Sequence, residues 1–178
     1  TWDLGSASTL ISVSSTLIGK GSETTEDTRP DFIVTGTSGT LTFNGVMQNH
    51  RNVTLTSACT VDGGSISAKL LTQARADISG CTIRTTSSSG VACLQDPTFG
   101  TTTDLHDVTF VQEGNGHAIE IDTATSYTLT NIFFSGYGAG TSNSSAIDVT
   151  ASSGTVTLNI SGGDTPTYTT AGATVNIV

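Results

Sequence analysis

Two acidic residues occupy the same place in two similar short segments. Glu120 lies in AIEI at residues 118–121, and Asp148 lies in AIDV at residues 146–149. If the two segments are parallel neighbours in a repeat, their equivalent residues lie about 4.8 Å apart. Two carboxylates at that distance suit glycoside hydrolysis or the binding of a cation.

Asp122 and His117 are close to Glu120 in sequence and complete this candidate site. The alternative, which we favour, is that Glu120 and Asp148 point into solvent on an acidic surface. An enzyme would also need a groove with aromatic platforms, for which Tyr127, Phe133 and Tyr137 are the nearby residues. We therefore assign no catalytic residue and keep Glu120, Asp122 and Asp148 only as candidates.

The histidines and cysteines do not have the spacing of a metal site. The spacing of His50, His106 and His117 does not suggest a metal site, and no Cys-x-x-Cys pair occurs. We predict that Cys59 and Cys81 are small buried apolar residues, with a disulfide between them as the alternative. No cofactor or metal is expected.

Composition narrows the class of protein. Only 12% of the 178 residues are charged, and a formal net charge of −9 disfavours nucleic acid and anionic lipid as partners. We expect no membrane span, because no long apolar run occurs, and the first residues, TWDLGSAS, lack the form of a signal peptide. Because the chain begins at Thr1 without Met, we expect it to be processed or part of a longer protein.

Short segments of the form apolar, strand former, apolar recur along the chain. They are spaced by roughly two dozen residues, the length of one coil of a solenoid. The first series is CTV at 59–61, CTI at 81–83, VTF at 108–110, IFF at 132–134 and VTL at 156–158. A second series, aligned on Ala92, Ala118 and Ala146, has a similar period. Two strand sites per repeat predict coils with at least two flat faces.

Gly80, Asp107 and Asn131 each precede the inward residue of a first-series segment. Because Gly, Asp and Asn favour tight turns, we predict that the chain bends at these positions. The fold class predicted is all-β, a single-stranded right-handed parallel β-helix, with a β-sandwich as the alternative.

Three parts of the chain are predicted. Residues 1–31 form an N-terminal cap or docking segment, because a solenoid end needs a cover for its unpaired backbone groups. Residues 32–163 form the β-helix coils, and residues 164–178 form a C-terminal closing strand.

The coil form, the Gly-, Ser- and Thr-rich turns and the acidic balance over residues 32–163 resemble the pectate-lyase-like β-helix class. Within that class they resemble the β-helical modules of phage tailspikes, fibres and capsid decoration proteins. The catalytic Asp clusters and basic residue of the enzymes in the class have no counterpart in this sequence. The resemblance therefore implies a non-enzymatic virion structural protein at the virion surface or in an extracellular setting.

The resemblance also implies a homotrimer that contacts other virion proteins, such as capsid or tail subunits. Two alternatives stay open. One is a glycan-binding or glycan-cleaving tailspike-type domain that uses Glu120, Asp122 and Asp148 on a host surface glycan. The other is a bacterial surface adhesin.

Overall fold

A computed structural model gives the fold. It describes the backbone of residues 2–3, 8–11, 16–18, 32–35, 40–43, 46–48, 52–55, 58–62, 65–68, 70–72, 76–95, 105–138 and 144–178. Side chains are described for residues 65–68, 71, 78–95, 105–138 and 144–178.

The described residues form twenty β-strands and no helix. In the first half of the chain the strands are β1 Trp2–Asp3, β2 Ser8–Ile11, β3 Thr16–Ile18, β4 Phe32–Thr35, β5 Thr40–Phe43, β6 Val46–Gln48, β7 Asn52–Leu55, β8 Ala58–Asp62, β9 Ser65–Ala68 and β10 Leu70–Thr72. The others are β11 Ala76–Ser79, β12 Thr82–Thr85, β13 Ala92–Gln95, β14 Leu105–Gln112, β15 His117–Ile121, β16 Ser126–Ser135, β17 Ile147–Val149, β18 Thr155–Gly163, β19 Tyr168–Thr170 and β20 Thr174–Ile177. The all-β prediction is confirmed for this part of the chain.

The strands form two sheets, which we call the first and the second sheet. The first has eight strands in the order β1-β4-β7-β10-β13-β15-β17-β19. The second has twelve, with the path β2-β5-β8-β11-β14-β12-β9-β6-β3, and β16, β18 and β20 follow in turn from β14. The strand pairs among the described residues are parallel, and each strand pairs with one from an adjacent repeat rather than with its neighbour in sequence.

One long strand of the second sheet, β14, spans two short ones. The start of β14 pairs with β11 through Leu105 and His106, and its end pairs with β12 through Thr109 to Gln112. Asp107 lies at the junction between the two halves of β14. The next strand, β16, pairs with β14 on both sides of this residue, and β18 pairs in turn with β16.

The predicted bend positions lie in register. Gly80, Asp107 and Asn131 have φ values of 61°, 54° and 51°, in the left-handed region that Gly, Asp and Asn tolerate best. The strand register continues this column to Gly162, with φ 82°. The side-chain amide of Asn131 donates to Asp107 Oδ1 at 2.7 Å, which joins two neighbours of the column. The prediction that the chain bends here is confirmed, and we call these four residues the bend column.

The predicted repeat alignment is correct in its middle and wrong at its ends. Val108 pairs with Ile132, as predicted. Ile132, however, pairs with Gly163, whereas Val156 pairs with Val175. At the other end, Cys59 pairs with Ala76 rather than with Cys81.

The second series is also offset at its start. Ala92 pairs with His117 and not with Ala118. The later members, Ile119 and Ile147, align as predicted.

The inward side chains form ladders across each sheet. In the second sheet the ladder runs Ile66, Ile83, Phe110, Phe134, and the rings of the last two are stacked with centroids 5.7 Å apart. In the first sheet it runs Leu71, Leu94, Ile119, Ile147, Tyr168. Because side chains alternate between strand faces, every second residue of these strands joins a continuous apolar core.

Cys81 is a buried thiol, as predicted, and Cys93 is another, with its Sγ donating to the Ala68 carbonyl at 3.2 Å. The side chain of Cys59 lies outside the described residues.

Strands also occur in both predicted terminal segments. β1, β2 and β3 pair with β4, β5 and β6, and residues 19–31 lie outside the described part. In residues 164–178, β19 pairs with β17 and β20 with β18. The roles as cap and closing strand stay predictions.

Candidate functional site

The two predicted carboxylates are neighbours on the first sheet. Glu120 in β15 pairs with Asp148 in β17, which confirms their equivalence. The flanking Ile119, Ile121 and Ile147 are buried. Alternation along the strands therefore places Glu120 and Asp148 on the outer face, where both are partly exposed.

A threonine extends this row to a third strand. Thr169 in β19 pairs with Asp148, and its hydroxyl donates to Asp148 Oδ1 at 2.9 Å. The row is therefore Glu120, Asp148, Thr169, and we call it the acidic row. Within the row, one oxygen of Asp148 accepts a hydrogen bond.

Asp122 is exposed just beyond the end of β15. Its Oδ1 accepts a hydrogen bond from the Thr123 hydroxyl at 2.9 Å, and the Tyr127 phenol donates to the Thr123 carbonyl at 2.9 Å. Burial of Tyr127, together with the negative charge of Asp122, raises the pKa of this phenol, so it stays neutral. These contacts place Asp122 in a local turn cluster with Thr123 and Tyr127.

His117 does not face the acidic row. It is 2% exposed and has the same alternation as the buried Ile119 and Ile121, so its side chain points to the opposite face of β15 from Glu120. Its Nδ1 lies 2.9 Å from the Ser145 carbonyl oxygen. Because a carbonyl only accepts, Nδ1 carries the proton. The prediction that His117 belongs to the candidate site is wrong.

His117 belongs instead to a buried polar cluster that the sequence did not indicate. The Ser87 hydroxyl donates to the His117 carbonyl at 3.4 Å, and Ser145 Oγ donates to the Ile147 carbonyl at 3.0 Å. Ser87 and Ser145 are both fully or almost fully buried. These bonds satisfy polar groups that would otherwise destabilise the core, so a structural role explains the cluster.

A pocket lies at the end of the second-sheet ladder. Its volume is about 340 Å³, near the lower limit of small-ligand sites. It is lined by Phe134, Tyr137, Ala146, Asp164, Thr165 and Thr167. Of the aromatic residues considered from the sequence, Tyr137 lines this pocket, whereas Phe133 is 43% exposed.

The described residues contain no group of three or more His, Cys, Asp or Glu side chains arranged to hold a metal ion. His106 Nδ1 is 2.7 Å from Oδ2 of Asp107, which belongs to the bend column. His50 lies outside the described residues. The described part also holds no helix long and apolar enough to cross a membrane.

Comparison of the chain with protein-family models found no match. Neither the curated proteins nor the solved structures gave a match.

Proposed function

We propose that this chain is a right-handed parallel β-helix that acts as a non-enzymatic structural module. The observation that carries the proposal is the pairing of strands across successive repeats, as in the ladder from Ile66 through Ile83 and Phe110 to Phe134. Each repeat supplies one rung and must lie on its neighbours to bury its inner face, as in a solenoid. Right-handedness follows the rule for crossovers between parallel strands.

Parallel pairing supports this fold over the β-sandwich, since sandwiches of the immunoglobulin type are built from antiparallel sheets. Pairing between repeats, such as Glu120 with Asp148, supports it further. A hairpin-rich sandwich would instead pair neighbours in sequence.

Hydrogen bonding supports a structural role for the candidate carboxylates. Thr169 donates to Asp148, and Thr123 donates to Asp122. These bonds hold each carboxylate against a neighbouring threonine on the surface of the protein. A net negative charge also favours solubility, because it makes the chains repel one another.

The setting that we propose is the surface of a virion, where the module presents a stable shaft or knob as a homotrimer bound to capsid or tail subunits. The resemblance of residues 32–163 to phage tailspike, fibre and decoration modules supports this setting. Exposed apolar side chains such as Phe133, 43% exposed, offer surface for contacts between subunits.

A cleavage assay tests the non-enzymatic role. Purified chain is incubated with acidic and neutral polysaccharides, and product size is followed by size-exclusion chromatography. We expect no depolymerisation by the wild type, by Glu120→Gln or by Asp148→Asn.

The opposite outcome has a defined signature. Cleavage by the wild type that is lost in Glu120→Gln or Asp148→Asn would contradict the proposal if it is kept in the control Glu113→Gln, which removes an exposed carboxylate paired with Arg84. That result would favour the glycan-cleaving alternative, for which the adjacency of Glu120 and Asp148 is the supporting observation.

A further inference from the structure

The pocket at Phe134 arises because the second-sheet ladder ends there. One face of the Phe134 ring is stacked on Phe110 with an interplanar angle of 13°. On the other side β18 ends at Gly163, before it reaches the level of Phe134. The residues that follow β18 line the pocket instead, so it lies on the side of Phe134 opposite to Phe110.

Asp164 is fixed at the rim by backbone hydrogen bonds. Its N–H donates to the Ile132 carbonyl at 2.8 Å, and its Oδ2 accepts from the Phe134 N–H at 2.9 Å. Asp164 is also one of the lining residues, so these two bonds hold a negative charge at the pocket.

Tyr137 provides a second, ordered aromatic ring. It meets Phe134 at 89° with centroids 6.0 Å apart, and its phenol lies 2.7 Å from the Thr85 hydroxyl. Burial raises the pKa of Tyr137, so the phenol stays neutral and keeps this bond. The ring is therefore positioned before any ligand arrives.

The remaining polar groups are hydroxyls. Thr167 Oγ1 accepts from the Ala146 N–H at 3.0 Å, and Thr165 is exposed at the rim. The described lining contains no Lys, Arg or His. The pocket therefore has one carboxylate and two aromatic rings in its lining, and an open ring face attracts a cation because it carries partial negative charge.

We propose that this pocket binds an organic ammonium group. Two rings near a right angle together with a carboxylate form the partial aromatic cage that attracts such cations, and the net charge of −9 adds a long-range attraction. The ammonium group can belong to a lysine side chain of a partner protein or to a quaternary ammonium compound. This inference goes beyond the structural role proposed above and does not depend on it.

The test is an NMR titration of the ¹⁵N-labelled chain. The probes are n-butylammonium, which mimics a lysine side chain, and choline, a quaternary ammonium. 3,3-Dimethyl-1-butanol, the neutral isostere of choline, and methyl glucoside are the uncharged controls. We expect saturable shifts at Tyr137 and Asp164 with one or both cations and with neither control.

Variants separate the two contributions to binding. Asp164→Asn removes the charge at almost constant volume, and Phe134→Leu removes the ring, and we expect each to weaken cation binding about fivefold or more. The matched controls are Glu113→Gln, an exposed carboxylate outside the pocket, and Phe133→Leu, the adjacent phenylalanine, and both should bind as wild type does.

Three outcomes would overturn the proposal. These are equal binding of choline and its neutral isostere, binding of methyl glucoside alone, and no saturable shift with any probe. Asp164→Asn keeps the inference testable if Phe134→Leu fails to fold. A relative preference for butylammonium over choline would assign the source as a lysine side chain, and the reverse preference would assign a quaternary head group.

Discussion

Single residues in the bend column set the direction of the chain. Asn131 has φ 51°, and its amide bonds to Asp107 in the neighbouring repeat. Only a few residue types accept this backbone region without strain, so the identity of the residue matters although its side chain is not part of the core.

Replacing Asn131 tests this role. Asn131→Ala should lower the free energy of unfolding by about 1 to 2 kcal/mol, because alanine is strained in the left-handed region. The lost amide bond to Asp107 adds to that cost. Asn131→Gly should lower the free energy of unfolding less than Asn131→Ala does. Glycine is not strained in this backbone region, although it also lacks the amide bond to Asp107. Urea unfolding measures both, and equal stability of Asn131→Ala and wild type would contradict the account.

Asp107 makes stability depend on pH. The hydrogen bond with His106, and then that from Asn131, lower the pKa of Asp107 below its usual range. A lowered pKa in the folded state stabilises the protein above the ordinary value of about 3.9, and this contribution is lost as pH falls through the folded-state pKa.

Lowering the pH from neutral to about 3 should therefore reduce the melting temperature of Asp107→Asn less than that of the wild type. The variant lacks the carboxylate whose protonation costs stability. Calorimetric melting at the two pH values measures the difference. Asn is a suitable replacement because it also tolerates positive φ. A parallel loss in both proteins would show that Asp107 does not contribute.

At the residue scale, the sequence predicted those features that repeat in a visible pattern. Turn-forming residues recur at one place in the repeat, which predicted the bends at Gly80, Asp107 and Asn131. Acidic residues recur at another place, which predicted the pairing of Glu120 with Asp148. The inward position of His117 could also have been predicted, since it alternates with Ile119. The pocket could not, because it depends on how residues after β18 turn back over Phe134.

At the scale of elements, register is the property that the sequence predicted least well. Val156 has the same apolar-Thr-apolar form as Val108, yet the two do not belong to one ladder. The cause is that long strands such as β16, Ser126–Ser135, carry two lines of inward residues separated by a bend, with Leu129 before it and Ile132 after it. A short apolar pattern therefore fits either half of the strand, and only pairing decides between them.

Disulfide trapping tests the register directly. Glu120→Cys/Asp148→Cys places two thiols on paired positions with Cα atoms about 5 Å apart, within the range of roughly 4.4 to 6.8 Å that a disulfide accepts. We expect ready oxidation to the cross-linked form, identified by peptide mass spectrometry, which also distinguishes it from bonds to the native cysteines.

The matched control is Glu120→Cys/Thr169→Cys. Thr169 lies one strand further along the acidic row, so the two Cα atoms are about 9 to 10 Å apart and should not cross-link. Cross-linking of the control at the rate of the paired variant would contradict the parallel register.

At the scale of the whole molecule, the proposed module is a set of repeats that bury one continuous core. The ladders from Ile66 to Phe134 and from Leu71 to Tyr168 belong to the two sheets. Such a core is stiff along its axis because each repeat contacts its neighbours through parallel backbone pairing. Stiffness of this kind suits a shaft or knob that is presented outward.

The oligomeric mass tests the central claim most directly, since the proposed role is that of an assembled trimer. Light scattering of the purified chain should give a mass three times the 18.1 kDa of one chain, stable on dilution. A mass of one chain at all concentrations would contradict the proposed trimeric virion module.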